Sequence, residues 1–250
     1  MLRSLCLAWL LPLFVMAQTD TLYQLDAKLI AKHLKPGVHQ YLVFIQPKKA
    51  PQKTMTYVWS REVKYVTRNQ EKLIEINQRW YASDTARNRF VYSLSKADNF
   101  LPVYHRASGI RGVEAYDFSA AGVKGSDSVT NNLKKGFDLA VSRPFLNWEL
   151  DLEIFPLLDL KAGKRFAIQF YHPGGRVEPK LYEYKVVGEE PVEIINGVAV
   201  DCWKLRIDYT ETSWAMFYIS KKNREVLKME EDFGSGIRYK VKLATPVPIR

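Results

Sequence analysis

The four histidines of the chain are its first candidates for metal binding or acid–base chemistry. They are His33, His39, His105 and His172, and no two of them lie four residues apart, as two ligands on a metal-binding helix would. No acidic residue near them completes a recognisable ligand spacing. His105 is expected to be a strand residue that faces solvent or bonds to the backbone. The sequence therefore predicts no metal site and no cofactor.

Candidate nucleophiles and paired carboxylates are equally weak signals for catalysis. The chain contains neither the G-x-S-x-G turn of serine hydrolases nor a G-x-G-x-x-G phosphate loop. Cys202 lies in an alternating stretch and is expected to be a small packed residue. Two of the three carboxylates Glu149, Asp151 and Glu153 could form the pair that glycoside hydrolysis uses, but their alternation within an apolar segment favours a solvent-facing side. We predict no catalytic residue and a protein that is not an enzyme.

Aromatic residues are the positive signal, with 6 Trp, 14 Tyr and 12 Phe in the chain. Most of them are expected to fill a core. A subset falls on strand faces, or on a segment covering the sheet, that could point into an apolar cavity. The predicted ligand-binding residues are Tyr57, Trp59, Trp80, Trp148, Trp203 and Leu205.

The N-terminus has the features of a secretory signal peptide over residues 1–17. Arg3 gives a positive start, an apolar run extends from Leu5 to Met16, and Val15 and Ala17 suit the cleavage site. The run is shorter than the roughly twenty residues that a membrane-spanning helix needs. We expect cleavage near Ala17 and a periplasmic or secreted protein. Cys202 would then be the only cysteine of the mature chain.

The net charge of +10 does not by itself select a partner. Lys and Arg are spread along the chain rather than grouped, which favours a solvated face, one that could approach the anionic surface of the cell envelope. Export argues against a nucleic-acid partner. The sequence does not predict the oligomeric state.

Two-residue periodicity dominates the chain from Gln40 onwards. Short runs rich in β-branched and aromatic residues are separated by turn signals at intervals near ten, which predicts about eleven to thirteen antiparallel strands in one domain over residues 18–250. Near the C-terminus apolar and basic residues alternate, and the apolar residues are expected on the inner side of the sheet. The apolar set is Ile237, Tyr239, Val241 and Leu243, and the basic set is Arg238, Lys240 and Lys242.

Two segments carry helical signals. Thr21–Leu34 shows helical spacing, with Thr19 or Asp20 as a cap and Lys35-Pro36-Gly37 as a stop. The second segment, Phe145–Leu158, is predicted to form one or two short helices; we call it the cover segment. Two such segments cannot cover a dozen flat strands, but they could close the opening of a curled sheet.

Several strand and turn motifs give the chain a family resemblance. "INQRWYAS", "LSKADNFLPVYHR", "YDFSAAGVKG", "YHPGG" and "LYEYKVVGEEPVEIINGVAVDCWKLRIDY" follow one another in order between about Val38 and Leu243. The chain resembles an exported bacterial family of domains of unknown function, itself similar in fold to the lipoprotein carriers LolA and LolB. The resemblance implies a mainly β fold, a strongly curved antiparallel half-barrel with short helices on its concave side. In the carriers that concavity accepts acyl chains.

These observations lead to a first hypothesis of a non-enzymatic protein that holds a lipid or other hydrophobic ligand in a half-barrel cavity. The alternative is a structural or protein-interaction module of the cell envelope whose sheet is filled by its own side chains. A third possibility is an enzyme acting on envelope glycans or lipids, which would need a cluster of His and carboxylate groups in the pocket.

Overall fold

A computed structural model describes residues 19–194 and 197–244. The predicted signal segment lies outside these ranges. The described chain forms a mainly β structure built on one large, strongly curved open sheet with two short α-helices. This confirms the predicted fold class. None of the helices in the described ranges is long and apolar enough to cross a bilayer.

The sheet contains 16 strands, more than the eleven to thirteen expected, because several very short strands extend its edges. The first eight strands are β1 (Thr19–Leu22), β2 (Gly37–Pro47), β3 (Met55–Arg68), β4 (Glu71–Ala82), β5 (Arg89–Lys96), β6 (Pro102–Gly109), β7 (Gly112–Ser119) and β8 (Gly122–Gly125). The other eight are β9 (Asp138–Ala140), β10 (Leu146–Asn147), β11 (Arg165–Tyr171), β12 (Lys180–Glu193), β13 (Ala199–Thr210), β14 (Ser213–Ser220), β15 (Val226–Asp232) and β16 (Gly236–Lys242).

The strand order is β1-β11-β12-β13-β14-β15-β16-β2-β3-β4-β5-β6-β7-β8-β9, with β10 paired to β11 off this path. Neighbours are antiparallel except for β1 and β10, which both pair parallel to β11. The pairing of β16 with β2 joins the C-terminal strands to the N-terminal ones at the centre of the sheet. The concave side therefore collects side chains from both ends of the chain.

The long central hairpin of β3 and β4 owes its register to a two-residue turn. Arg68 pairs with Glu71, and between them Asn69 and Gln70 have φ values of 48° and 65°. Two successive positive φ angles give the turn whose twist matches that of the flanking strands, and Asn tolerates this conformation well. The hairpin places Trp59 opposite Trp80.

The N-terminal helix is shorter than predicted, and its cap was misplaced. Thr19–Leu22 belongs to β1, which pairs with Arg165–Ile168, and the helix α1 spans Ala27–His33. The carboxylate of Asp26 caps it by accepting from the backbone N–H groups of Lys28 and Leu29. Pairing with a distant strand overrides the local helical spacing at Thr21.

The cover segment forms the short helical turns that were predicted. After β10 it continues as a 3₁₀ turn (Trp148–Leu150), the helix α2 (Asp151–Ile154) and a second 3₁₀ turn (Phe155–Leu157). Phe155 is fully buried, with its ring 4.7 Å from that of Phe217 and 4.9 Å from that of Tyr184. The segment and α1 share the main core cluster with the concave side of the sheet.

Candidate functional site

The concave side of the sheet contains an open cavity of about 1110 Å³ next to the cover segment. Its lining comes from β3 and β4 on one side, β15 and β16 on another, and β12 to β14 on a third. The first turn of the cover segment adds Trp148 and Glu149, and Arg89, Arg111 and His172 also belong to the lining. A volume of this order is at the upper end of the range for small-molecule sites.

Aromatic rings from the β3–β4 hairpin form one wall of the cavity. Trp59 and Trp80 stack with their ring centroids 4.2 Å apart, and Tyr57 meets Trp80 edge-on at 6.0 Å. All three residues, which the sequence singled out, line the cavity. The indole N–H groups of Trp59 and Trp80 are buried without an acceptor among the described residues. This wall is therefore flat and aromatic, and it contains two buried N–H donors without a partner.

Trp148, the fourth predicted residue in the lining, organises the opposite wall. Its indole stacks on the ring of His172 at 4.3 Å and meets Tyr182 edge-on at 4.2 Å. His172 is exposed as a whole residue, but desolvation of its ring by neighbouring groups lowers its pKa, so the neutral, stacking imidazole is favoured at neutral pH. His172 was not selected from the sequence, where nothing local links it to Trp148.

The other two predicted residues lie outside the cavity lining. Leu205 is fully buried in the main core cluster, and Trp203 packs against that cluster while Lys221 Nζ lies 4.4 Å from its ring. The expected shared face of Trp203, Leu205, Ile207 and Tyr209 is present, but only Ile207 and Tyr209 reach the cavity. At the Trp203–Leu205 end of β13, the protein's own side chains fill the space beside the strand.

The expectation that the carboxylates of the cover segment face solvent is wrong. Asp151 and Glu153 are buried, and Glu149 is partly buried. Glu153 accepts hydrogen bonds from Nε (2.7 Å) and Nη2 of Arg61, a β3 residue with no exposed surface. Arg61 Nη2 also donates to the backbone oxygen of Glu149 at 3.0 Å. The Glu153 carboxylate turns inwards because the buried guanidinium of Arg61 is available to pair with it.

Glu149 makes a two-pronged ion pair with Arg89 at the cavity. Arg89 Nη1 and Nη2 donate to its two carboxylate oxygens at 3.1 and 2.9 Å. Burial alone would raise the pKa of Glu149, but the Arg89 guanidinium outweighs it and lowers that pKa to about 2. Glu149 is therefore ionised at neutral pH and unsuited to act as a general acid.

The terminal strand β16 alternates as predicted, but its basic set faces inwards. Arg238 and Lys240 line the cavity, and Lys240 is only 5% exposed, whereas Val241 is 37% exposed. Lys240 Nζ lies 4.6 Å from the centroid of the Trp59 ring. The cation–π contact and the lysine stem's apolar carbons make this inward orientation tolerable.

His105 was expected to face solvent or to bond to the backbone, but it is buried and its ring contacts side chains instead. Its Nδ1 lies 3.0 Å from Ser93 Oγ and 3.2 Å from Asn147 Nδ2, and burial lowers its pKa to about 4. The group lies outside the cavity lining and ties β5 and β6 to β10. Cys202 is a buried free thiol in β13, as predicted. Within the described ranges, no three His, Cys, Asp or Glu residues are grouped to hold a metal ion.

Fold and cavity together describe a half-barrel: a curved antiparallel sheet that encloses an open, aromatic-walled pocket. Sequence comparison gives the particular family. The family described as "Protein of unknown function (DUF3108)" matches residues 40–242, and the chain belongs to it. This confirms the expected membership of a family of unknown function. The likeness to LolA and LolB stays a prediction.

No curated protein matches the chain. Among solved structures, three chains match. One is a DUF1329 family protein from Desulfovibrio piger, which is 11% identical with a TM-score of 0.36. The match covers 89% of this chain and 92% of that one.

Proposed function

We propose that this protein is a non-enzymatic, periplasmic or secreted protein that binds a lipid or other hydrophobic ligand in its half-barrel cavity. The observation that carries the proposal is the open cavity of about 1110 Å³ with a wall of stacked rings. The interior is otherwise closely packed by the cover segment and α1. A cavity kept open beside so dense a core is a feature that ligand binding would require.

The energy of burying an acyl chain is sufficient for useful affinity. Each buried methylene contributes about 0.8 kcal/mol, so a sixteen-carbon chain provides roughly 12 kcal/mol when fully buried. Micromolar binding requires about 8 kcal/mol. The difference leaves room for the costs of ordering the chain and for a part of it left in water.

A first experiment identifies the occupant. Protein purified under native conditions is extracted with organic solvent, and the extract is analysed by mass spectrometry against an extract from a protein of similar size from the same cells. We expect an enriched apolar species at a substantial fraction of one per chain. Extracts without any such species, together with failure to bind added fatty acid or apolar dye, would favour the alternative of a self-filled interaction module.

A second experiment localises binding with a matched pair of tryptophan variants. Trp80→Ala removes half of the stacked wall, whereas Trp214→Ala removes an equally half-buried ring that packs on the separate cluster around Cys202. We expect Trp80→Ala to weaken binding of the neutral dye Nile red about tenfold or more, and Trp214→Ala to leave it unchanged. Equal effects of the two changes would contradict binding at this wall.

A further inference from the structure

The charges that line the cavity are unequally matched, although both signs are present. Four of the five lining carboxylates are paired: Glu149 with Arg89, Glu231 with Arg238, Glu183 with Arg165, and Asp208 with Arg206. The fifth, Asp151, is buried and has no ion-pair partner within 4.0 Å among the described residues. Three lining cations also have no ion-pair partner within 4.0 Å in the described ranges. They are Lys240, Arg111 and Lys180.

Lys240 is the innermost of these three cations. Lys240 is only 5% exposed, and its Nζ lies against the Trp59 ring rather than against a carboxylate. The nearby carboxylate of Asp151 favours its charged form, but burial is the larger influence and lowers the pKa of Lys240. A buried ammonium without a hydrogen-bonding anion is costly to the fold, and a bound anion would relieve that cost.

Other residues of the same cavity lining carry hydrogen-bond donors without a partner. The indole N–H groups of Trp59 and Trp80 have no acceptor among the described residues, and an indole can only donate. Arg238 Nε lies 3.0 Å from Glu231 Oε2, but the angle is too poor for a hydrogen bond, so that N–H is also unsatisfied. Glu231 Oε2 is also left without a hydrogen bond, so three unpartnered donors of the lining face one unpartnered acceptor. A negatively charged ligand atom would supply the acceptor that the other donors need.

The two other unpaired cations lie towards the solvent. Arg111, in the turn between β6 and β7, and Lys180, at the start of β12, are both exposed. Exposed charges at a cavity attract an oppositely charged ligand from solution and raise its rate of association. They would favour the same ligands as Lys240.

We infer that the cavity is built for an amphipathic ligand with an acidic head group, a carboxylate or a phosphate, bound at Lys240 beside the Trp59–Trp80 stack. This inference rests on the proposed function and specifies its ligand class. The aromatic wall takes the apolar body of the ligand, and the ammonium of Lys240 donates charge-assisted hydrogen bonds to its head group.

The test compares ligands that share one chain and differ in the head group. Hexadecanoate, hexadecyl phosphate, hexadecanol and hexadecylamine each compete with Nile red for the wild-type protein. We expect either acid to bind at least about tenfold more tightly than the alcohol, which corresponds to one charge-assisted hydrogen bond, and the amine to bind most weakly. Inorganic phosphate and acetate, which lack the chain, are expected not to compete at millimolar concentration.

Two variants assign the preference to Lys240. Lys240→Met should lower the affinity for hexadecanoate to that for hexadecanol, with hexadecanol and Nile red binding unchanged, and Lys240→Arg should keep the preference for the acid. Lys72→Met is the matched control, because Lys72 Nζ also lies 4.6 Å from an aromatic ring, that of Tyr65, but outside the cavity. It should change nothing.

Equal affinities for acid and alcohol in the wild-type protein, or an acid preference that survives Lys240→Met, would overturn the inference while leaving the proposed function intact. Competition by inorganic phosphate alone would overturn it as well, because the site would then belong to a free anion. If neither Nile red nor any of the four ligands binds, the proposed function itself fails.

Discussion

The buried ion pair of Arg61 and Glu153 attaches the cover segment to β3 beneath the cavity, and its removal is the sharpest test of this architecture. The two side chains are 0% and 7% exposed. Arg61→Met would leave the Glu153 carboxylate buried without its partner, and Glu153→Leu would leave the guanidinium in the same position. The double variant removes both charges and fills the space with apolar atoms.

The structure sets the size of the expected effects. Breaking a buried ion pair by removing one partner costs about 3–5 kcal/mol, because the remaining charge is uncompensated. Replacing both partners by apolar residues is often neutral. Arg61 also donates to the Glu149 backbone oxygen, and its Cζ lies 4.3 Å from the Trp59 ring. We therefore expect the double variant to lose about 1–2 kcal/mol, far less than the two single losses combined.

The assay is urea unfolding of the four proteins, followed by circular dichroism, with the coupling energy taken from the double-mutant cycle. Arg165 and Glu183 provide the control, since their ion pair has side chains 40% and 58% exposed and should contribute less than about 1 kcal/mol. Single changes at Arg61 or Glu153 that each cost less than about 1 kcal/mol, or that add without coupling, would refute the buried anchor.

Three further predictions concern single titratable groups. Lys240→Met should raise the free energy of unfolding at pH 7 by about 1 kcal/mol, because it removes a buried charge. This advantage should shrink as the pH rises from the lowered folded-state pKa of Lys240 to the ordinary 10.5, above which the wild-type lysine is neutral in both states. Urea unfolding across that pH range would disprove the prediction by showing a loss of stability or a constant difference. Glu149→Gln should cost about 1–2 kcal/mol at pH 7, and the cost should fall as the pH drops from the ordinary 4.5 towards about 2, where the wild-type carboxylate also becomes protonated; a pH-independent cost would contradict the ion pair with Arg89. Burial raises the pKa of the Cys202 thiol to about 11, so it should resist iodoacetamide at pH 8 in the folded protein and react once urea unfolds the chain; mass spectrometry that detects rapid alkylation of the native protein would disagree.

Local patterning was sufficient to predict much of the fold. Two-residue alternation predicted the strands of the sheet, and in β4 Ile74, Ile76 and Gln78, which alternate along the chain, are all buried. The cover segment was recognisable by its apolar density between Pro144 and Pro156. The resemblance to a family of curved-sheet proteins added the curvature, which periodicity alone leaves open.

The features that sequence missed depend on contacts between distant parts of the chain. The parallel pairing of β1 with β11 takes over residues whose spacing looked helical. Glu153 turns inwards because of Arg61, which is 92 residues away in sequence. No local pattern contains either partner.

The cavity was harder to predict because its wall mixes polar and apolar groups. Alternation along β16 separated Lys240 from Val241 correctly, but assigned the apolar set to the inside by default. Where a sheet contains an open cavity, the side lining it can carry charges while an apolar residue such as Val241 is exposed. The same assumption, that charged residues face solvent, led to the wrong prediction for the carboxylates of the cover segment.

Quenching of tryptophan fluorescence by a bromine-labelled fatty acid tests the central claim most directly, since bromine quenches only the rings that it touches. Trp59, Trp80 and Trp148 line the cavity, and Trp203 and Trp214 do not. We predict saturable quenching that persists in a variant with Trp203 and Trp214 changed to Phe and disappears when the three lining tryptophans are changed to Phe. Quenching that is absent from the wild-type protein, or that follows Trp203 and Trp214 instead, would contradict a ligand cavity on the concave side of the sheet.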